Sequence, residues 1–273
     1  MAWVEHLPYA VLLLYLIGSG GHICGILTRK ERPKLVGGLV SGVGFALHGV
    51  TLALQLFPDP HLAVAQGSFS LSFFSFIVLL TLFILWIKLK LSFLGLIATP
   101  LAFVILLGSQ AVTASRIPLP SSMIGLFFGL HIGALFCAIG LMAMAATAGA
   151  AYIRLEKRIK SKEKLTHAFD ALPSLDKLDA ANRLAVTIGF PLYTVGLVVG
   201  FLWAGLAWGR FFSFDPKEVA AVFIWLLFAY LFHQRLALGW RGRKTARLAI
   251  WVFGLSLCSM LLNFLVKTHH SFS

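Results

Sequence analysis

Charged residues are scarce in this sequence. Only 12% of its 273 residues are Asp, Glu, Lys or Arg, and 59% are hydrophobic, whereas a soluble domain carries about 25% charged residues. The shortage of charge argues against a soluble globular protein and indicates a polytopic membrane protein. The net charge of +13 does not indicate nucleic-acid binding, because the basic residues lie in short segments between apolar runs and set the orientation of the chain.

Cysteine is also scarce. Cys24, Cys137 and Cys258 each lie alone in an apolar run, and no C-x-x-C motif occurs. This usage predicts no disulfide framework, no zinc site and no redox pair. The N-terminus has no basic segment before its first apolar run and no clear small-residue cleavage site, so we interpret that run as a true first membrane span.

Long apolar runs are what the sequence has in abundance. A membrane span needs about 20 mostly apolar residues. Eight runs meet this requirement, at residues 7–27, 35–57, 70–87, 91–112, 123–153, 184–207, 218–237 and 247–266. The sequence therefore predicts an all-α membrane helix bundle of about eight transmembrane helices, forming a single integral membrane domain over residues 1–273.

The basic residues indicate the orientation of these spans. Residues 28–34, 88–90, 154–183 and 235–247 hold four, two, eight and five Lys or Arg residues, which make nineteen of the twenty-three in the chain. These segments follow alternate spans, so the positive-inside rule predicts that they are cytoplasmic and that both termini are outside. In the longest segment, RLEKRIKSKEK is expected to continue the fifth helix and LPSLDKLD to form a short amphipathic piece before the sixth span.

Four of the nine histidines stand out by position. Two lie at membrane depth, His48 midway in the second span and His233 near the inner end of the seventh. Two lie at the outer surface, His131 near the outer end of the fifth span and His270 after the eighth, where His269 is its rival. Ionisable groups at membrane depth usually face a cavity or a partner, and neutral imidazole binds iron. The positions suggest two pairs that each clamp a flat metallated ring; the alternative for a single such histidine is a hydrogen bond to a backbone carbonyl or a neighbouring helix.

The connector WGRFFSFDPKE, residues 208–218, joins the sixth and seventh spans on the predicted outer face. Asp215 is expected to cap the seventh helix, with Pro216 in its first turn. At 3.6 residues per turn, Glu218, Trp225 and His233 then share one face of that helix, with Ala229 between them. This face would run from the outer turn to the inner histidine. We expect Trp225, which lies on it, to contact the metallated ring.

The connector is also rich in aromatic residues: Trp208, Phe211, Phe212 and Phe214. One interpretation is the aromatic belt found at membrane surfaces. Belts favour Trp and Tyr, whereas this cluster is mostly Phe and adjoins an acidic turn. Such a surface suits a flat apolar ligand with polar edges. Together with the histidine pairs, the cluster indicates haem.

Several segments resemble the CcsA-type cytochrome c assembly proteins and their HemX-like relatives, which are haem-handling membrane proteins with a tryptophan-rich WWD segment. WGRFFSFDPKE resembles their signature, WGxxWxWDPKE, and residues 172–204 resemble the approach to it. IWLLFAYLFHQRLALGWRGRK, residues 224–244, resembles the helix that follows. The closing HHSF and the early FALHGVTLAL resemble the family's terminal and second-span histidine segments. We define the signature loop as residues 203–218.

The resemblance implies roles for these residues. His131 and His270 would be the outer axial ligands of haem b, and His48 and His233 the transmembrane ligands that accept it from the inner side. A shelf under the ring would consist of Trp208, Phe212, Phe214 and Asp215. The family works in the bacterial inner membrane, with the signature loop on the periplasmic face. It presents haem to the C-x-x-C-H thiols of apocytochrome c, usually with a ResB-type membrane partner.

Departures from the signature leave a second branch open. Phe212 and Phe214 stand where the signature has tryptophan, and Ala220 stands at a commonly aromatic position. These differences count against the interpretation as a subunit of a cytochrome c synthase and favour the interpretation as a HemX-like regulator of haem synthesis. The sequence shows no evident general base or nucleophile, because Asp215 and Glu218 are interpreted as helix-cap groups. A transporter of protons or small solutes is a third possibility, although no matching halves with broken helices are evident.

Overall fold

A computed structural model of the chain describes residues 2–28, 30–57, 63, 66–89, 94–111, 127–162 and 172–265. These ranges contain eight α-helices: α1 (Leu7–Thr28), α2 (Glu31–Leu56), α3 (Gly67–Leu89), α4 (Gly95–Ala111), α5 (Ala134–Lys160), α6 (Leu175–Trp208), α7 (Pro216–Leu236) and α8 (Arg243–Leu265). A short 3-10 helix, Ala2–His6, precedes α1, and a π-helical segment, Phe127–Gly133, leads into α5.

The predicted all-α membrane architecture is confirmed, with one helix at each of the eight predicted spans. Among the described residues, six helices are long and apolar enough to cross a membrane, and α4 is apolar but shorter. The protein is therefore a multi-pass membrane protein. The orientation of its spans stays a prediction.

The basic segment 154–183 differs in part from the sequence prediction. The fifth helix does continue, as far as Lys160. LPSLDKLD, however, does not form a separate amphipathic piece, because α6 begins at Leu175 and runs without a break to Trp208. The Ser174 hydroxyl caps this start by accepting the backbone N–H of Lys177 at 3.4 Å, which satisfies one of the donors that a helix N-terminus leaves free.

The helices fall into two compact units. The first unit comprises residues 1–119 with 165–172 and contains α1 to α4; the second comprises residues 120–164 with 173–273 and contains the π-helical segment and α5 to α8. The single integral membrane domain remains a prediction. Of the predicted site residues that the structure describes, His48 lies in the first unit, and the others lie in the second.

Small residues hold α1 and α2 of the first unit close together. A Cβ added to Gly37 would lie 2.8 Å from the backbone oxygen of Gly18 and from the backbone nitrogen of His22, and one added to Gly21 would lie 2.7 Å from the Cα of Gly37. The two backbones therefore touch directly. Close backbone approach of this kind is a common way for membrane helices to associate.

Replacing Gly37 by valine should separate α1 from α2 and destabilise the protein by ~1–3 kcal/mol, because the added carbons meet backbone atoms that cannot move alone. Gly42 on the same helix is a matched control, since a Cβ there has no atom within 4 Å among the described residues. Thermal unfolding of the purified variants should show a lower midpoint for Gly37→Val than for Gly42→Val. Equal midpoints would show that this contact does not stabilise the first unit.

The second unit is built on the small residues of α5. Its buried positions are mostly Ala and Gly, so α6 and α8 both pack closely against it. A Cβ on Gly149 would lie 2.9 Å from the backbone oxygen of Ala246 in α8. On the α6 side, the Asn182 amide donates to the backbone oxygen of Ala145 at 2.8 Å. This packing fixes α6, which leads into the signature loop.

Candidate functional site

The acidic turn of the signature loop is a helix-capping structure, as the sequence predicted. The Asp215 carboxylate is 3% exposed and accepts the backbone N–H of Lys217 at 2.9 Å, and Pro216 occupies the first position of α7. Glu218 accepts the backbone N–H of Ser213 at 2.7 Å and the Ser213 hydroxyl at 3.0 Å. Both acidic side chains therefore hold the loop against the start of α7.

Two aromatic residues of the loop, Phe212 and Phe214, form a connected cluster with Phe201 of α6. The Phe212 ring lies edge-on to Phe201 of α6, with centroids 5.7 Å apart, and edge-on to Phe214, with centroids 4.7 Å apart. Phe214 is 79% exposed, and Phe211 is also exposed. The loop thus presents aromatic surface outside the core of the second unit. The side chain of Trp208 lies outside the described part of the chain.

The backbone of Phe214 is strained. Its φ angle is +58°, a left-handed conformation that is unfavourable for a bulky L-residue. The Glu218 bond to Ser213 and the Asp215 bond to Lys217 hold this conformation from both sides of Phe214. Strain of this kind is concentrated at ligand sites, where the surrounding structure maintains it.

His131 lies in the π-helical segment before α5 and is oriented by α6. Its Nδ1 lies 2.7 Å from the backbone oxygen of Gly196. A carbonyl oxygen can only accept, so Nδ1 carries the proton, and the lone pair of the neutral ring is on Nε2. This is the tautomer and the second contact typical of a metal-ligating histidine. Single π-helical turns are likewise frequent at functional sites.

Two glycines of α6 make room for this histidine. A Cβ on Gly200 would lie within contact distance of all three of the ring atoms Cε1, Nδ1 and Nε2, and one on Gly196 would meet the Leu135 side chain and the backbone oxygen of His131. The pair belongs to a G-x-x-x-G pattern, GLVVG at residues 196–200. The sequence analysis did not use this signal, which is typical of close helix contact in membranes.

A cavity of about 350 Å³ brings His131 and the signature loop together. His131, Phe201 and Trp203 line it from the π-helical segment and α6, and Lys217 and Glu218 line it from α7. Most of the other lining side chains are apolar. Its volume and its few polar groups are typical of a small-molecule site. Because Phe201 also contacts Phe212, one wall of the cavity adjoins the aromatic cluster of the loop.

The C-terminal histidines lie outside the described residues, which end at 265. The pairing of His131 with His270 or His269 therefore stays a prediction. Helix α8, which leads to them, does line the 350 Å³ cavity with Ser256 and Ser259.

Trp225 and His233 of α7 have different surroundings. The lining residues of α7 are Lys217, Glu218, Ala221 and Ile224. Trp225 instead contacts α6, where its indole N–H donates to the Thr194 hydroxyl at 3.0 Å. His233 is exposed on the second unit near the C-terminal end of α7. The predicted common face of Glu218, Trp225 and His233 therefore does not coincide with the cavity wall, and their roles as ligand contacts stay predictions.

His48 is enclosed in the core of the first unit and is 1% exposed. Its Nδ1 lies 3.0 Å from the Tyr15 hydroxyl of α1, and its Nε2 lies 3.0 Å from the Ser72 hydroxyl of α3. This is the arrangement that the sequence left open as the alternative, a histidine bonded to neighbouring helices. To bind iron, the ring would have to give up one of these two contacts.

Ser72 also connects His48 to a polar cavity of about 420 Å³ in the first unit. Its polar lining residues are Glu5, Gln55, Gln66, Ser68, Ser72 and Gln110. Sequence reasoning did not find this cavity, because its glutamines and serines come from three separate segments with no shared spacing.

Comparison with known proteins finds a family match that includes the signature loop. The family model described as Cytochrome C assembly protein matches residues 36–270. Curated relatives named "Cytochrome c biogenesis protein CcsA" are similar to part of the chain. The protein from Synechococcus elongatus is 41% identical over 104 residues, which cover 38% of this chain and 32% of the relative. Those from Crocosphaera subtropica and Synechocystis sp. are 39% identical over 124 residues (43% and 36%) and 38% identical over 117 residues (42% and 35%). The match thus spans about a third of the length of these relatives.

Proposed function

Because the chain belongs to the cytochrome c assembly protein family, we propose that it binds haem b in the second unit and presents it at the outer membrane face for attachment to apocytochrome c. His131, from the π-helical segment, and His270 would hold the haem iron. Phe212 and Phe214 form the shelf beside the ring, together with Trp208 and Asp215. A ResB-type membrane protein is the proposed partner.

One observation carries this proposal: the Nε2 lone pair of His131 belongs to a ring that α6 orients beside a cavity shared with the signature loop. The residues present fit a haem. Imidazole nitrogen binds iron, and the cavity wall is mostly apolar, as the porphyrin faces require. Lys217 lines the same cavity and supplies a positive charge for a propionate carboxylate.

Haem supplies the reactive vinyl groups, and the protein holds the haem in place. His131 fixes the iron, the aromatic cluster fixes the plane of the ring, and the capping bonds of Asp215 and Glu218 keep the loop in shape. We assign no acid or base role to Asp215 or Glu218, since each already serves the helix start. The relatives reported are CcsA proteins, and nothing in these matches favours the HemX-like alternative.

A haem titration of the full-length chain, purified in mild detergent, tests the proposal. We expect saturable binding and the absorption spectrum of a histidine-ligated haem, with a Soret band that changes on reduction. A protein that binds no haem under oxidising or reducing conditions would contradict it.

Variants of Phe214 test the proposed aromatic shelf in the same titration. Phe214→Gly removes a ring from the shelf and should weaken haem binding about fivefold, since an aromatic pair contributes about 1 kcal/mol beyond its buried area. The same change relieves the left-handed strain, so the apoprotein should be more stable by about 1 kcal/mol. Phe214→Ala is the matched control, because it removes the ring and keeps the strain. Unchanged haem affinity in both variants would remove Phe214 from the proposed shelf.

A further inference from the structure

A third cavity, of about 610 Å³, lies in the second unit at the opposite end of α6 and α7 from the signature loop. We call it the arginine cavity. The first turns of α6, the end of α7 and the turn before α8 form its wall. Its polar and aromatic lining residues are Tyr152, Asp176, Asp179, Arg183, Arg235, Trp240 and Arg241. It is separate from the 350 Å³ cavity, with which it shares no lining residue.

One arginine of the wall is neutralised internally. Arg235 is 3% exposed and donates to the Asp179 carboxylate at 2.9 Å. The same carboxylate oxygen accepts the backbone N–H of Gly242 at 2.8 Å. Asp179 is therefore engaged by the protein itself and does not neutralise the other arginines of the wall.

The two remaining arginines have no such partner among the residues that the structure describes. Arg183 and Arg241 are exposed and form no ion pair within the described residues. Asp176 is the only other acidic group on the cavity wall as described, so the wall keeps a net positive charge. In addition, the Nε–H of the buried Arg235 has no hydrogen-bond partner in the described part of the chain. A buried donor without an acceptor is costly, and a bound acceptor group would remove that cost.

The chemistry of the wall selects a tetrahedral or planar oxyanion. Guanidinium groups bind phosphate with two parallel N–H donors, and the Tyr152 hydroxyl and the Trp240 indole N–H can add neutral donors from the same wall. The cavity opens among segments 154–183 and 235–247, which hold thirteen of the Lys and Arg residues and which the positive-inside rule places at the cytoplasmic surface. Basic pockets between membrane helices on that side bind anionic lipid headgroups.

We propose that the arginine cavity binds a phosphate group, supplied by the headgroup of an anionic phospholipid or by free phosphate. Arg183 and Arg241 contact the charged oxygens, and Arg235 forms the floor of the site. Binding joins the start of α6 to the end of α7 and should stabilise the second unit. The inference is independent of haem binding, because neither the residues nor the readout below involve the signature loop.

Thermal unfolding of the full-length protein in mixed micelles tests this site. With phosphatidylglycerol at about 100 times its dissociation constant, we expect the midpoint to rise by roughly 5–10 °C relative to phosphatidylcholine. The variant R183Q/R241Q should lose at least half of this rise. The variant R154Q/K157Q is the matched control, since it removes the same charge from exposed positions of α5 that do not line the cavity, and it should keep the full rise.

A second arm identifies the source of the phosphate. Inorganic phosphate is compared with chloride at equal ionic strength: a stabilisation that R183Q/R241Q abolishes assigns the free ion, whereas an effect of phosphatidylglycerol alone assigns the lipid. Native mass spectrometry of retained phosphatidylglycerol gives a readout that does not depend on stability. The proposal is overturned if neither phosphate source stabilises the protein, or if the two double variants lose the effect equally.

Discussion

Replacing His131 by glycine should weaken haem binding at least tenfold, and added imidazole should restore most of it. The expectation follows from the proposed role of Nε2 as an iron ligand, since the variant removes the coordinating ring and leaves its space open. Free imidazole can enter that space and bind the iron in place of the side chain. The measurement is a haem titration followed by absorption, with and without imidazole. His6→Gly is the matched control, because His6 is exposed in the first unit. This variant should bind haem as the unchanged protein does.

A variant of Gly200 tests whether haem binding needs the space that this glycine leaves for the His131 ring. Leucine at this position would occupy the space of the His131 ring, so Gly200→Leu should lose haem binding as His131→Gly does. Imidazole should not rescue it, because the new side chain fills the place that imidazole would take. Gly254→Leu in α8 is the control, since a Cβ there has no atom within 4 Å among the described residues. Full haem binding by both His131→Gly and Gly200→Leu would remove His131 from the site.

Local sequence signals were enough to place the helices and the acidic turn. Each apolar run became a helix because a run of this length and hydropathy must satisfy its backbone hydrogen bonds internally in a membrane. The cap by Asp215 and the position of Pro216 depend on a few adjacent residues, and both are as predicted. The sixth span was predicted to begin at residue 184, after a short amphipathic piece, because the charged residues of LPSLDKLD made that stretch too polar for a membrane span, whereas α6 already begins at Leu175 and includes most of it.

Contacts between distant residues were beyond the reach of sequence patterns. The carbonyl that orients His131 belongs to Gly196, 65 residues away, and the partners of His48 are 33 and 24 residues away in Tyr15 and Ser72. The sequence could place His48 at membrane depth and could not say which helices face it. The π-helical conformation around His131 depends in the same way on packing against α6, so no local pattern indicates it.

Replacing Arg235 by leucine should be among the most destabilising substitutions in the second unit, at about 3–5 kcal/mol. This side chain joins three segments: it donates to Asp179 of α6, to the backbone oxygen of Trp240 at 3.0 Å and to the Thr245 hydroxyl at 3.0 Å. Its other terminal nitrogen also donates to the backbone oxygen of Asp179. Without the guanidinium, the Asp179 carboxylate keeps only the Gly242 N–H as a donor within the network.

Thermal unfolding of the purified protein measures this effect, and we expect a midpoint lower by on the order of 10 °C. Arg154→Leu, at an exposed position of α5, should change stability by less than about 0.5 kcal/mol. Arg235→Lys should recover little, because a single ammonium cannot reach acceptors on α6, the turn and α8 at once. The double variant Arg235→Leu/Asp179→Leu should be more stable than the sum of its two single variants predicts, since it removes the charge that either single change leaves buried without its partner. Additive losses would mean that the two side chains stabilise the second unit separately and that no ion pair couples the start of α6 to the end of α7.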